Sequence, residues 1–170
     1  MAQLPCFWIV APRRLGAALA LLAASWCVHA GNFAGTVTHV TDGDSLWVRP
    51  DAGGPPREIR LEGIDAPEIC QAWGREARDA LAARALHQHV RVASRARDTY
   101  RRSLARVDAG GQDVGAWMVS RGHAWSYRFR RSPGPYAPQE AKAKSAGLGL
   151  WKDLTPMPPR EFRKRHGSCK

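Results

Sequence analysis

Two short acidic runs stand out in the chain, Asp42-Gly43-Asp44 and Asp65-Ala66-Pro67-Glu68. Carboxylates are hard oxygen donors. Two or three of them converging from separate loops can chelate a hard cation, with backbone carbonyls and waters completing the shell. Taken alone, Asp-Gly-Asp is equally a turn in which the side chains bond their own backbone. Arginines give the carboxylates a possible substrate. Arg60 lies five residues before Asp65, and Arg101-Arg102 precede another apolar run. A cation neutralises one oxygen of a phosphate, and guanidinium forks bind the others and tighten as charge builds in the transition state. A carboxylate outside the metal's ligand set can take a proton from water. The residues by themselves support a candidate metal-dependent phosphodiesterase and nothing narrower.

Such groups need rigid elements to hold them. Phe33 to Val40 and Ser45 to Arg49 are rich in β-branched and aromatic residues and read as strands, with Thr41 to Asp44 as the turn between them. The stretch from Pro50 to Pro56 is a Gly/Pro-rich connection, and Arg57 to Ile64 reads as a third strand broken by Asp65-Ala66-Pro67. Apolar residues at Trp73, Ala77, Ala80, Leu81 and Ala85 then follow a helical period. His89 to Ser94 and Ser103 to Val107 return to strands, joined by the basic loop Arg95 to Arg102. Asp113 can cap a helix carrying Val114, Trp117 and Met118, which Gly122 stops. Pro138 to Ala146 reads as a third helix, and Pro156 to Pro159 is expected to end regular structure. The expected fold class is therefore α+β: a closed or nearly closed five-stranded barrel, with about three packed helices. Closure removes exposed strand edges.

Composition narrows the function classes. With 170 residues and 44% hydrophobic content, the chain suits one domain and is neither a disordered tail nor a multidomain enzyme. The 26 basic residues against 15 acidic ones give a net charge of +11, which favours a polyanion such as nucleic acid, acidic polysaccharide or anionic lipid. Arg13-Arg14 precede the uncharged run Leu15 to Val28, and Val28-His29-Ala30 places small residues before a cleavage point. This is a signal-peptide pattern, the other readings being a membrane anchor or a buried helix. Residues 1–30 are thus expected to be a signal peptide, 31–155 the folded domain and 156–170 a Pro-rich, then basic tail. Cleavage near Ala30 would remove two basic and no acidic residues, leaving a net charge of +9. The product would be periplasmic or extracellular, without stable membrane insertion. Two cysteines would remain, Cys70 and Cys169. In an oxidising compartment they can pair; otherwise Cys70 is a buried thiol and Cys169 a free terminal one. No Cys-x-x-Cys or His-Glu-x-x-His occurs, so zinc sites of the usual kinds are unsupported.

Six ordered elements carry a more specific resemblance. Arg60 to Glu68 (RLEGIDAPE) strongly resembles the signature of the thermonuclease, or staphylococcal-nuclease-like, family. Asp42-Gly43-Asp44-Ser45 is similar to its DGDT element, Gln71 to Ala77 to its QPYG-x-EA helix start, and Asp98 to Ala105 to D-x-YGR-x-LA. Gly122 to Trp125 and Gly147 to Trp151 resemble its GLAW and GLW elements, and Pro158 to Arg163 an appendage of some bacterial members.

The resemblance implies an oligonucleotide-binding (OB-fold) barrel and calcium-dependent cleavage of DNA and RNA, single strands preferred, to 3′-phosphate ends. Carried over by position, Asp44, Asp65 and the Ala66 carbonyl would ligate Ca²⁺, with Asp42 supporting them. Glu68 would be the general base or at least orient the attacking water, Arg60 would bind the phosphate, and Arg102 would stabilise the transition state and help the leaving oxygen. Tyr100 would line the pocket, with Arg101, Tyr127 and Arg128 as further substrate contacts. Arg101 stands where the family usually has Gly, and Ser45 where it has Thr. The protein is expected to act as a monomer. Two readings compete: a barrel of the same kind with an inactive site that only holds nucleic acid, and an exported adhesin for acidic polysaccharide. The adhesin would explain charge and export but not the spacing of the carboxylates. The Arg128 to Arg131 run and the basic tail around Arg163, Lys164 and Arg165 are expected to contribute to nucleic-acid binding, the alternative being that the tail is only a solvated end.

Overall fold

The computed structural model describes residues 31–98 and 102–169. Phe33–Val40 (β1), Ser45–Pro50 (β2) and Arg57–Leu61 (β3) form an antiparallel meander, followed by the two-residue strand Ile64–Asp65 (β4). Across β1 from β2 lies His89–Arg97 (β5), which pairs in turn with Ser103–Ala109 (β6). Parallel pairing of β6 with β3, Ile59 opposite Ser103 and Leu61 opposite Ala105, closes the ring. The result is the expected five-stranded barrel in an α+β fold. Along β2 the side chains alternate, with Leu46 and Val48 buried and Arg49 outside. Val37, Ile59, Val90, Val92 and Val107 join them in the core. Bulges between Val37 and His39 and between Ser94 and Ala96 interrupt the registers, bending strands that must curve into a barrel.

Helices plug and flank this ring. Gly74–Ala85 (α1) buries Ala77, Leu81 and Ala85 at helical spacing. A short strand, Gln112–Asp113 (β7), runs into Val114–Ser120 (α2), where the Asp113 side chain accepts from Ala116 N–H as the expected cap. Trp125–Ser126 (β8) pairs with β4, and Ala137–Ser145 (α3) follows, burying Glu140 and Ala143. Gly149–Lys152 forms one 3₁₀ turn. Among the described residues no helix is long and apolar enough to cross a membrane.

Three expectations need correction. The third strand does not run unbroken to Ile64: Gly63, at φ 81°, turns the chain after Leu61, and Ile64-Asp65 start a separate ladder with β8. The fifth strand extends to Arg97, because ladder bonding to β6 continues past the point where apolar alternation fades. The tail does not end regular structure, since Pro159–His166 forms a further helix (α4). Its starting signals are Pro159 in the first helical turn, where the missing N–H costs nothing, and Glu161 near the positive end of the dipole.

Candidate active site

The acidic turn is fastened where three barrel strands meet. Thr41 N–H donates to the Ser45 carbonyl at 2.9 Å, and Leu61 N–H to the Asp44 carbonyl at 2.8 Å. Gly43 is there for packing: a Cβ on it would lie 2.7 Å from Ala66 Cβ and 2.8 Å from Ala77 Cβ. Its absence lets the turn press against both the Asp65–Glu68 segment and α1. Asp65 is delivered by β4. Glu68 follows Pro67 in a tight turn, its N–H donating to Gln71 Oε1 at 3.2 Å and its carbonyl accepting from Gln71 N–H at 2.8 Å. Gly74 completes this corner, since a Cβ there would sit 1.9 Å from the Glu68 carbonyl oxygen.

These elements bring Asp44, Asp65 and Arg60 together. Arg60 Nη1 donates to Asp44 Oδ1 at 2.6 Å and Nη2 to Asp65 Oδ1 at 3.0 Å. Asp44 is 3% exposed and also accepts from Ser45 Oγ at 3.0 Å and, through Oδ2, from Ala66 N–H at 3.2 Å. Asp42 is half-buried beside it and accepts from Asp44 N–H at 3.0 Å. Three carboxyls therefore crowd one guanidinium. Burial first, then the charge of Asp44, pushes the Asp42 carboxyl up to about 7. The same two causes raise Asp65, against the pull of Arg163 and Arg60. Burial works to lower Arg60, but attraction to Asp44, Asp65 and Asp42 prevails and raises it.

This surplus of buried negative charge and its all-oxygen donor set fit a hard divalent cation. Asp44 and Asp65 aim oxygens at the one guanidinium between them, so both can face a shared cation. Among the described residues no three His, Cys, Asp or Glu side chains form a ready-made metal cage, so carbonyl and water ligands would have to complete the shell. The Ala66 contact in the structure runs through its N–H rather than its carbonyl.

The surplus charge has a measurable consequence. An acid whose pKa rises on folding opposes folding once ionised. The Asp42 cost is absent below its ordinary 3.8 and fully present above about 7. In chelator, the Tm advantage of Asp42→Asn over the wild type should therefore grow as pH rises through that window. An advantage that stays constant from pH 4 to pH 8 would contradict the assignment. Saturating Ca²⁺ should shrink it at neutral pH by neutralising the cluster.

Asp42, Arg60, Asp65, Glu68, Arg102 and Tyr127 all line one open cleft of about 1090 Å³. Arg102 is steered by Asp98, whose Oδ2 accepts from Arg102 Nε at 2.7 Å and Oδ1 from its backbone N–H at 2.9 Å. Arg102 Nη1 points to Ser45 Oγ at 3.5 Å, tying it to the acidic turn. Tyr127 is 47% exposed, and the neighbouring Phe129 is 62% exposed on the same cleft. Arg128, expected as a substrate contact, donates from Nη2 to Glu140 Oε1 at 3.1 Å while its side chain stays 56% exposed, and it is not among the cleft residues. Glu140 is buried in α3 and pairs with Arg128 and, one turn on in the same helix, with Lys144. Tyr100 and Arg101 lie outside the described residues, as does the expected signal segment at 1–30.

Sequence reasoning missed three cleft residues. Asp98 opens the D-x-YGR-x-LA element and stands at i,i+4 spacing to Arg102, but the resemblance gives it no role of its own. Phe129 sits in a run that reads mainly as basic. Arg163 is expected only as a general contributor to nucleic-acid binding from the tail, yet its Nη1 lies 2.6 Å from Glu68 Oε1 and 3.7 Å from Asp65 Oδ1. The tail is also covalently fastened, by a disulfide between Cys70 and Cys169.

A buried acidic pair sharing one arginine, with a second arginine and a further carboxylate on the same cleft, is a centre equipped to handle a phosphate. The comparisons agree. A family profile described as "Staphylococcal nuclease homologue" matches residues 58–153. An "Uncharacterized endonuclease" of Haemophilus influenzae is 33% identical over 129 residues, covering 76% of this chain and 72% of that protein. A "Micrococcal nuclease" of Shigella flexneri is 34% identical over 169 residues, covering 92% and 94%. "Protein ParB" of Escherichia coli is 36% identical over 162 residues, covering 89% and 90%. The chain belongs to the staphylococcal nuclease homologue family. It is a nuclease, a phosphodiester hydrolase acting on nucleic acid.

Proposed function

We propose that this protein is an exported, calcium-dependent endonuclease that hydrolyses DNA and RNA, single strands preferred, and leaves 3′-phosphate ends. The observation that carries the reading is the convergence of Asp44, Asp65 and Arg60, with Glu68 and Arg102 on the same cleft. Asp44, Asp65 and the Ala66 carbonyl would hold Ca²⁺, with Asp42 behind them. The cation, when bound, supplies positive charge to a phosphate oxygen and lowers the pKa of nearby water.

The chain's own residues do the rest. Glu68 takes a proton from the attacking water through a carboxylate oxygen. Arg60 binds the phosphate with its planar fork. Arg102, oriented by Asp98, binds the oxygens that gain charge as phosphorus becomes five-coordinate; the 5′ oxygen then departs with the electron pair of its bond to phosphorus and takes a proton from solvent to become the 5′ hydroxyl. Tyr127 lines the substrate path, and Tyr100 and Arg101 contact the nucleotide. Residues 1–30 serve as a removable signal segment, 31–155 as the nuclease domain and 156–170 as its tail. The mature protein acts as a monomer in the periplasm or outside the cell.

A chelator experiment tests the reading directly. Cleavage of single-stranded DNA by the purified protein should stop in excess EGTA and return with Ca²⁺, and product ends should be 3′-phosphates. Undiminished hydrolysis in EGTA sinks the calcium assignment. Binding to DNA without cleavage under any metal would instead identify an inactive barrel that only holds nucleic acid.

A further inference from the structure

The tail helix α4 has little to do with the core. Only Pro159 of its eight residues is buried, and its last turn carries Arg163, Lys164, Arg165 and His166. Burial of one proline supplies little apolar stabilisation, and an eight-residue helix is marginal by itself in water. Yet the chain fixes this helix on both sides. Before it, the Met157 carbonyl accepts from Gln71 Nε2 at 2.6 Å. After it, Cys169 is bonded to Cys70. Both anchor points adjoin Glu68, and Gln71 uses its other amide atom, Oε1, to accept the Glu68 N–H. Arg163, midway along the helix, reaches back 95 residues to Glu68 Oε1 at 2.6 Å.

We infer that Arg163 is the positioning residue for Glu68, and that the Cys70–Cys169 bond and Gln71 exist to hold it there. The inference deepens the proposed function and rests on Glu68 being the proton acceptor. A glutamate has three side-chain torsions and samples many rotamers when unrestrained. Arg163 occupies Oε1 and so fixes the carboxylate in one orientation. The other oxygen of the carboxylate is the one that meets the water. A general base held to within a few tenths of an ångström loses less to misplacement than one that must find its geometry at each turnover. The tail is therefore part of the active site. Deleting residues 160–170 should lower kcat and not merely flatten the salt dependence of binding.

The test compares the wild type, Arg163→Ala, Arg163→Lys, Cys70→Ser/Cys169→Ser, Glu68→Gln and the Glu68→Gln/Arg163→Ala double variant. Each is assayed on single-stranded DNA with Ca²⁺, with circular dichroism as the check on folding. Arg163→Ala should lose roughly 10–100-fold in kcat, the usual range for removing a group that orients a functional residue, with KM changed by less than about threefold. Arg163→Lys should recover part of that loss, since an ammonium can still bond Oε1. The cysteine variant should fall in the same direction. In the Glu68→Gln background, Arg163→Ala should cost no more than about twofold, because no base is left to position. A merely structural Arg163 would give its full loss in both backgrounds, and that outcome overturns the inference. So does an Arg163→Ala protein with unchanged or raised kcat. If Arg163→Ala fails to fold, Arg163→Lys and the cysteine variant decide by the same kcat against KM split. A wild type that cleaves in a chelator-sensitive way while Arg163→Ala matches it refutes this inference alone. A wild type that never cleaves refutes the proposed function and this inference with it.

Discussion

Glu68→Gln is expected to lower kcat on single-stranded DNA by about 10²–10⁴-fold, the range for removing a general acid or base. The amide matches the carboxylate in shape and keeps an oxygen for Arg163, so the corner formed by Glu68, Gln71 and Gly74 should survive. What it lacks is a site for the proton of the attacking water. Substrate affinity should change little, because Arg60 and Arg102 are untouched on the cleft wall. Calcium affinity should also hold if Glu68 stands outside the ligand set, which separates this variant from Asp44→Asn or Asp65→Asn. Steady-state kinetics with a calcium titration measures both quantities. A kcat within a factor of three of the wild type would remove Glu68 from the proton transfer.

The reach of the sequence can be seen residue by residue. Asp42 to Ser45 and Arg60 to Glu68 are readable because their geometry is local: a turn between strands, and a strand that ends at a proline. The cap at Asp113 is readable for the same reason, since the residue it serves is Ala116. The barrel was legible as alternating runs such as Leu46 and Val48. Its closure by parallel pairing of β3 with β6 leaves no local mark. Gly63 reads as one more residue in a strand, because nothing in the sequence says that its φ is positive. Arg128 and Arg163 both sit in basic runs expected to meet nucleic acid, and each is claimed by a carboxylate that only folding brings near: Glu140 for Arg128, Glu68 for Arg163. Charge counting locates neither partner. A single local signal, two cysteines surviving the expected signal cleavage, hinted that the tail returns toward residue 70.

Arg60→Gln should expose the two roles that one guanidinium plays. Without a bound cation, Arg60 is the counter-charge for Asp44 and Asp65, at 2.6 and 3.0 Å. Its side chain is 20% exposed, and the carboxylates it serves are 4% and 10% exposed. Removing one member of a buried ion pair typically costs 3–5 kcal/mol, because the charge left behind has lost both water and partner. Burial and the Asp44 charge already push the Asp65 and Asp42 carboxyls upward, and losing Arg60 removes a pull in the other direction on Asp65, so proton uptake relieves part of the strain. We therefore expect a loss of about 3 kcal/mol in chelator near neutral pH, the lower end of that range. Acidification toward pH 4 should restore much of it, since protonated carboxyls need no counter-charge. Calcium should restore it as well, by replacing the missing charge with its own. Activity should not return with stability. The calcium-loaded variant would be folded and metal-bound, yet missing the fork that grips the phosphate, and a neutral amide offers neither charge nor bidentate geometry. Loss of a charged donor at the reacting centre costs about 10²–10³-fold or more in kcat. Thermal melts with EGTA or Ca²⁺ at pH 4 and 7, beside single-turnover cleavage, separate the two roles. A metal-free Tm equal to the wild type would show that Arg60 does not balance the acidic cluster. Full activity in calcium would show that it does not hold the phosphate.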